Sequence, residues 1–145
     1  MKISMKSDYG LRAVLDLAQR YGQGPVQSGD IAVRQGIPEP YLEQLLSTLR
    51  KAGLIRSVRG PQGGHRLVKP PAEISVGEVI AALEGSIAPI GCVDEVGTCD
   101  RSSICVQRDI WMEINQITQR VLDSTTIASL LERQSARQGQ SMYYI

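Results

Sequence analysis

The residues of this sequence best suited to chemistry are its three cysteines, which all lie within residues 92–105, CVDEVGTCDRSSIC. Their C-x6-C-x5-C spacing differs from the C-x2-C pairs of common zinc modules, so the spacing alone gives weak support for a metal site. Cysteine is usually among the most buried residue types, yet this loop is rich in Asp, Gly, Ser and Thr. Three thiolates on such a loop can converge on one metal ion or cluster. Redox-active thiols and passive cysteines remain open as alternatives.

The composition excludes several classes of protein. With 42% hydrophobic residues the chain can bury a core, and its first residues, MKISMKSDYG, do not form a signal peptide. No stretch approaches the ~18 apolar residues that span a bilayer, so we expect a cytoplasmic protein with no membrane partner. In a reducing compartment, an odd number of cysteines favours metal binding or redox chemistry over a structural disulfide. A single histidine and no paired acid–base groups argue against an enzyme.

The net charge of +1 conceals two oppositely charged halves. Residues 1–70 contain 11 Lys and Arg against 5 Asp and Glu, whereas residues 71–145 contain 5 against 10. A basic first half joined to an acidic second half predicts a polyanionic partner for the first half only. The alternative is chance clustering of solvated charges.

Residues 1–53 have the pattern of three helices. Apolar residues recur with a helical period from Ser7 to Tyr21, and Ser28 resembles the N-cap of a short helix that stops at Gly36. A third helix begins near Pro38, directs its leucines inward and stops at Gly53. The short, glycine-containing turn between the second and third helices indicates a helix-turn-helix.

A hairpin follows the helices. Residues 54–58 and 65–68 are strand-like and are separated by the glycine-rich RGPQGG, which carries Arg59. A helix-turn-helix followed by a hairpin is a winged helix, so we predict a winged helix-turn-helix domain over residues 1–72. The predicted fold class is mainly α with a small β-hairpin wing. The only histidine, His65, is expected to be a solvent-facing strand residue rather than a ligand.

Residues 73–133 are predicted to link and dimerise this domain. Ser75 caps a helix that ends at Gly85, the cysteine loop follows, and a long helix spans residues 104–122. Its apolar positions form a coiled-coil-like seam, and a weaker helix at 127–133 precedes a loose, flexible tail at 134–145. Burying the seam against a second copy would place two DNA-binding domains on one duplex. We therefore predict a homodimer on a palindromic operator. The predicted dimerisation residues are Ile110, Trp111, Ile114, Ile117 and Val121.

The third helix carries polar residues opposite its leucines. A glutamine can read adenine in the major groove and an acidic residue can accept from cytosine, whereas Arg and Lys near the helix end suit phosphates. An arginine at the base of the wing tip can enter the narrow minor groove. A solvated helix face and a plain turn are the alternatives. The predicted DNA-binding residues are Glu43, Gln44, Ser47, Arg50, Lys51 and, in the wing, Arg59.

Together these elements resemble the IscR/NsrR/CymR class of bacterial winged-helix regulators. The resemblance runs from Met1 to about Arg133, and its most specific stretches are SDYGLRAVLDLA, YLEQLLSTLRKAGLIRSVRGPQGGHRLVKP, VGEVI and the spaced cysteines. It implies a homodimeric transcription factor whose long helix crosses to the partner. It also implies that Cys92, Cys99 and Cys105 ligate an iron–sulfur cluster that controls operator binding in response to iron, oxygen, nitric oxide or redox potential.

The fourth cluster ligand departs from the IscR pattern. A histidine three residues beyond the last cysteine supplies it in IscR, whereas Arg108 stands here and cannot bind iron. In NsrR-like members an aspartate near the N-terminus of the other subunit takes this role, and Asp8 occupies the matching position. Helix capping is the alternative role for Asp8. The resemblance therefore leaves open whether the cluster is [2Fe-2S] or [4Fe-4S].

Members without the cysteines also exist, so the fold alone does not guarantee a cofactor, and two other functions remain as alternatives. One is a winged-helix regulator with a cluster-free thiol switch or a zinc site. The other is a protein-interaction module that does not bind DNA, or a small electron carrier.

Overall fold

The computed structural model of the chain describes residues 2–95 and 97–143, with side chains to residue 140. Seven helices and one hairpin make up this part, together with a 3-10 turn at Pro71–Glu73. In chain order the elements are α1 (Met5–Gln19), α2 (Ser28–Gln35), α3 (Glu39–Lys51), β1 (Ile55–Val58), β2 (Gly64–Leu67), α4 (Val76–Glu84), α5 (Gly91–Asp94), α6 (Val106–Ser124) and α7 (Ile127–Tyr143).

Local signals fix the ends of the first helices. Ser4 caps α1, because its hydroxyl accepts the N–H of Ser7 at 3.3 Å. Gly36 ends α2 in the left-handed conformation (φ 64°), as its position in the sequence predicted. The prediction that Ser28 caps α2 is wrong: Gln27 occupies the cap position without a side-chain bond, and Ser28 is the first helical residue. The Ser28 hydroxyl donates instead to Glu43 of α3.

The antiparallel hairpin is docked onto the loop between α1 and α2. Its strands pair with Ile55 opposite Leu67, and an isolated bridge joins His65 to Val26 through backbone bonds of 2.7 and 2.8 Å. A Cβ atom at Gly64 (φ 151°) would overlap the backbone of Val26. Glycine at this position therefore permits the close approach that holds the wing in place.

One hydrophobic core joins the winged helix to the elements that follow it. Ile74 and the α4 residues Val79, Ile80 and Leu83 are buried in the same cluster as the leucines of α3, together with Ile127 at the start of α7. The expected boundary after residue 72 therefore does not coincide with a break in the core.

Glycines set how closely α4 packs against its neighbours. A Cβ atom at Gly10 of α1 would overlap the side chain of Leu83, and one at Gly77 of α4 would overlap the carboxylate of Asp123. At the end of α4, the Glu84 carboxylate accepts hydrogen bonds from the hydroxyls of Ser4 and Ser7. These bonds hold the pKa of Glu84 below its usual value and tie the start of α1 to α4.

The two C-terminal helices have different bounds from those that the sequence pattern indicated. Helix α6 begins at Val106 and ends at Ser124, two residues later at each end than expected. The predicted helix end at Arg133 is wrong, because α7 continues to Tyr143. Residues 134–143 include Ala, Arg and Gln, which favour helix, and the preceding Leu130 and Leu131 anchor the helix on the core. The last two positions of the predicted loose tail, 144 and 145, lie outside the described residues. Within residues 2–95 and 97–143, no helix is both long and apolar enough to cross a membrane.

Candidate nucleic-acid interface and cysteine loop

Helix α3 has one apolar face and one polar face. Its leucines at 42, 45, 46 and 49 are buried because they recur at helical spacing toward α1 and α4. The residues predicted to contact DNA lie on the other side: Glu43, Gln44, Arg50 and Lys51 are exposed and Ser47 is half-buried.

A contact that the sequence did not reveal holds Glu43. The Ser28 hydroxyl at the start of α2 donates to the Glu43 carboxylate, so this side chain is oriented by the first helix of the helix-turn-helix. Among the described residues, the Gln44 side chain makes no hydrogen bond, and its amide is free to bind another molecule.

A hydrogen-bonded chain connects the wing to α3. The Ser57 hydroxyl lies 3.0 Å from Nδ1 of His65, and Arg50 Nη1 donates to Ser57 Oγ at 3.4 Å. Burial, reinforced by the charge of Arg50, lowers the pKa of His65 despite the opposing influence of Glu43. A neutral His65 with an unprotonated Nδ1 accepts a hydrogen bond from the Ser57 hydroxyl, whose oxygen in turn accepts from Arg50. His65 is half-buried and is linked to α3 through Ser57, so the expectation of a solvent-facing side chain is wrong.

The wing carries more positive charge than was predicted. Arg59 is exposed at the base of the tip, beside Gly60. Arg56 and Arg66 are also exposed and lie directly opposite each other across the hairpin. Like charges in this position destabilise a strand pair, and neither arginine forms an ion pair within the described part of the chain. With Arg20 they line a cavity of about 460 Å³, which makes this surface suited to anions. Pairing the two strands of the hairpin from the sequence alone would have placed Arg56 opposite Arg66.

The cysteines lie on a half-exposed loop. Cys92 belongs to α5, Cys99 is exposed, and Cys105 occupies the N-cap position of α6; all three are free thiols. Cys92 and Cys99 line a shared cavity of about 450 Å³, which Cys105 does not line. Within residues 2–95 and 97–143, no three Cys, His, Asp or Glu side chains are grouped closely enough to hold a metal ion.

Arg108 stabilises this loop. Its Nε and Nη2 atoms donate to the carbonyl oxygen of Cys92 at 3.4 and 3.2 Å. This bidentate contact ties α5 to the first turn of α6, immediately after Cys105. A cation therefore lies beside the cysteines where an IscR-like sequence would carry a histidine.

Asp8 lies in the first turns of α1, where its carboxylate pairs with Arg12 at 3.0 Å and remains about half exposed. The capping alternative for Asp8 is wrong, because Ser4 caps this helix. Its side chain is therefore held only by a surface ion pair, which exchanges readily with other partners.

The outer side of α6 is apolar and uncovered. No residue of this 19-residue helix is buried, and the exposed fractions of Ile110, Ile117 and Val121 are 54%, 44% and 57%. Trp111 and Ile114 beside them are half-buried. A contiguous apolar stripe of this kind is typical of a surface that another chain covers.

Comparison with known proteins agrees with this order of elements. Residues 3–133 match the family Rrf2, described as iron-dependent transcriptional regulators. The chain belongs to the Rrf2 family. The Rrf2-type regulator CymR of Bacillus subtilis is 39% identical over 145 residues, which is 100% of both chains. IscR of Aliivibrio salmonicida is 42% identical over 131 residues, covering 90% of this chain and 77% of the relative.

Solved Rrf2 structures have the same fold. B. subtilis CymR superposes with a TM-score of 0.78 at 38% identity, covering 92% of this chain and 98% of CymR. IscR of T. potens superposes with a TM-score of 0.75 at 44% identity, covering 92% and 88%. The predicted fold class, mainly α with a β-hairpin wing, is confirmed. Since the relatives are named transcriptional regulators, the expectation that this Rrf2 protein is not an enzyme also agrees with the comparison.

Proposed function

We propose that this protein is a homodimeric regulator that binds a palindromic operator in double-stranded DNA, and that an iron–sulfur cluster on its cysteine loop controls the binding. The observation that carries DNA binding is the polar face of α3, which exposes Gln44, Arg50 and Lys51 beside a wing rich in arginine. Membership in a family of transcriptional regulators supports it.

Each group on this surface has a distinct role. Gln44 reads a base in the major groove, and Glu43, oriented by Ser28, accepts from a neighbouring base. Ser47 contributes a hydroxyl on the same face. Arg50, Lys51 and the opposed Arg56 and Arg66 bind phosphates, and Arg59 enters the minor groove.

Two substitutions test the proposed surface. Gln44→Ala is expected to weaken binding at one base position by roughly 1–3 kcal/mol, whereas Lys51→Ala weakens all sequences equally and lowers the salt slope by about one unit. Lys6→Ala, which changes an exposed lysine of α1, is the control and leaves both quantities unchanged. Unchanged affinity and base preference in Gln44→Ala would show that α3 does not read the operator.

Dimerisation through α6 completes the operator-binding unit. The apolar stripe of Ile110, Ile117 and Val121, with Trp111 and Ile114 at its edge, fits a second copy of the same helix. A two-fold dimer presents two copies of α3 to half-sites about one helical turn apart or a multiple of it.

The residues of the cysteine loop suit an iron–sulfur cluster in their chemistry. Cys92, Cys99 and Cys105 are three accessible thiols, and two of them share a cavity. When bound, a cluster supplies a centre that responds to iron, oxygen, nitric oxide or redox potential. Arg108 holds the Cys92 backbone in place, and Asp8 of the partner subunit supplies the fourth ligand in our proposal. Ligation requires the loop to draw Cys105 toward the other two thiols.

The absorption spectrum of anaerobically purified protein, with iron and sulfide counts, tests the cluster. We expect a coloured protein whose colour is lost in each Cys→Ala variant. Asp8→Ala should retain a more labile cluster, because three thiolates remain. Operator affinity is then compared at fixed salt for cluster-loaded, cluster-free and triple Cys→Ala protein. Equal operator affinities of the three forms would show that the cluster does not regulate DNA binding, even if the protein contains iron.

A second candidate function keeps DNA binding and replaces the cluster with a thiol switch or a zinc site. The three free thiols do not converge in this structure, which favours the thiol switch; a zinc site would need the same movement of the loop as a cluster. CymR of Staphylococcus aureus, solved in an oxidized form, superposes with a TM-score of 0.72 at 40% identity. A colourless, iron-free protein after attempted reconstitution would support this candidate over the cluster.

A further inference from the structure

A cavity of about 470 Å³ lies between α1, α2 and α7, and no residue of α3, the wing or the cysteine loop lines it. Leu15 of α1 and Leu130 of α7 form its apolar wall. Its volume is in the range of small-molecule sites, which are mostly apolar with a few polar groups that orient the ligand.

The polar wall of this cavity is basic. Arg133 and Arg137 lie four residues apart on α7, where like charges repel, and both line the cavity. Within the described residues neither forms an ion pair. The carboxylate of Asp16 also reaches the wall, but Arg34 and Gln35 of α2 already occupy its oxygens. Arg12 also lines the cavity but pairs with Asp8, which leaves the exposed guanidinium groups of Arg133 and Arg137 without an ion pair among the described residues.

An amide between these arginines lacks a partner. Oε1 of Gln134 is buried and forms no hydrogen bond with any described residue. Because the two ends of a glutamine amide are assigned from their surroundings, this group can face a ligand as donor or acceptor. A buried polar group of this kind is satisfied when a polar ligand binds beside it.

We propose that this cavity binds a small organic acid. Its carboxylate pairs with Arg133 and Arg137 and hydrogen-bonds Gln134, and its apolar body packs on Leu15 and Leu130. An organic carboxylate fits better than an inorganic phosphate because its apolar body also contacts the two leucines, while the remaining wall is polar and consists of Arg12, Asp16, Gln19, Gln35 and Gln138.

The position of Asp16 gives this site a route to the helix-turn-helix. Asp16 lines the cavity and is bonded to Arg34 and Gln35, so movement of this wall moves α2. Since α2 orients Glu43 of α3 through Ser28, occupancy of the cavity changes operator affinity. This second step rests on the proposed DNA binding; ligand binding itself does not.

The test uses 3-phenylpropionate and its neutral amide, 3-phenylpropionamide, titrated into the full chain by calorimetry without DNA. We expect saturable binding of the acid and at least about tenfold weaker binding of the amide, because the charged hydrogen bonds are lost. Arg133→Gln and Arg137→Gln are each expected to weaken binding of the acid about tenfold. Arg120→Gln, on the exposed side of α6, is the matched control and leaves the affinity unchanged.

Three results would overturn the proposed site: no saturable binding of the acid, equal binding of acid and amide, or unchanged affinity in both arginine variants. Thermal unfolding of each variant establishes that it is folded, and Gln134→Leu provides an independent check. Gln134→Leu should raise the melting temperature of the ligand-free protein, since it removes an unpaired buried polar atom, and weaken acid binding. Operator affinity is measured last, with and without saturating 3-phenylpropionate. If the acid binds as expected and operator affinity does not change, the coupling through Asp16 is wrong.

Discussion

Asp16→Asn is expected to be among the most destabilising single-atom changes in the described chain. The Asp16 side chain has no solvent exposure and accepts hydrogen bonds of 3.0 and 2.9 Å from Arg34 and of 3.0 Å from Gln35. Arg20 lies 3.4 Å away on the next turn of α1. The carboxylate thus holds α2 against α1, and α2 in turn orients Glu43.

The magnitude follows from burial and from what asparagine retains. Removing one partner of a buried ion pair costs about 3–5 kcal/mol, because the remaining charge is left without compensation. Asparagine keeps one carbonyl oxygen for Gln35. The Arg34 side chain, 34% exposed, is also partly solvated by water, which weakens the pair. We therefore expect the free energy of unfolding to fall by about 2–4 kcal/mol.

The pH dependence gives a second, independent signature. Burial acts to raise the pKa of Asp16, but the hydrogen bonds from Arg34 and Gln35 and the charge of Arg20 outweigh it, so the pKa lies below its ordinary value. A depressed pKa in the folded state stabilises the protein above the unfolded-state pKa, and this stability is lost as the pH falls through the folded-state pKa. The Asn variant lacks this contribution and should lose less stability in acid.

Urea denaturation measures both effects, and the protein concentration is held constant because the proposed dimer would make stability depend on it. Asp30→Asn removes an exposed carboxylate from α2 and should change stability by less than about 0.5 kcal/mol. If Asp16→Asn destabilises no more than Asp30→Asn does, or has the acid sensitivity of the unmodified protein, the buried carboxylate does not hold the two helices together.

Other regions give further predictions. Replacing both Ile114 and Ile117 with Glu should yield a monomer in sedimentation and weaker operator binding in DNA titrations, because burying the seam would desolvate unpaired charges. The control Gln116→Glu should remain dimeric. Gly10→Ala should lower the melting temperature, since the added methyl group meets a buried leucine of α4. Because the pKa of His65 is lowered in the folded state, the stability that its neutral form contributes is lost as the pH falls below the unfolded-state pKa of about 6.5. In urea denaturation, His65→Gln should therefore lose less stability than the unmodified protein as the pH falls below about 6.5.

Much of the winged helix could be predicted because periodicity and turn residues act locally. The leucine spacing of α3 determines which side is buried, whatever it packs against. Gly36 and Gly53 end their helices with positive φ of 64° and 80°, and Ser75 caps α4 by accepting the N–H of Glu78 at 3.0 Å. These signals depend only on nearby residues, so no knowledge of the tertiary fold was needed.

The contacts that the sequence did not reveal join residues distant in the chain. The bond of Ser28 to Glu43 and that of Asp16 to Arg34 depend on how neighbouring helices are rotated, which periodicity does not determine. The opposition of Arg56 to Arg66 depends on hairpin register. Residues 134–143 were expected to be loose because they are polar, but polar residues with high helix propensity extend a helix whose start is already anchored at Ile127.

The continuity of the core constrains how the proposed signal at the cysteine loop would reach DNA. Helix α4 packs against α1 and α3 in one buried cluster, so these helices move as a single body. The cysteine loop lies outside that cluster, between α4 and α6, and Arg108 joins it to α6. A change in the order of the loop is therefore expected to alter the angle of α6 relative to this body more readily than the shape of α3. In a dimer joined through α6, that angle sets the separation of the two reading helices. The regulated quantity is then the fit to half-site spacing, and operators with altered spacing should differ most between cluster-loaded and cluster-free protein.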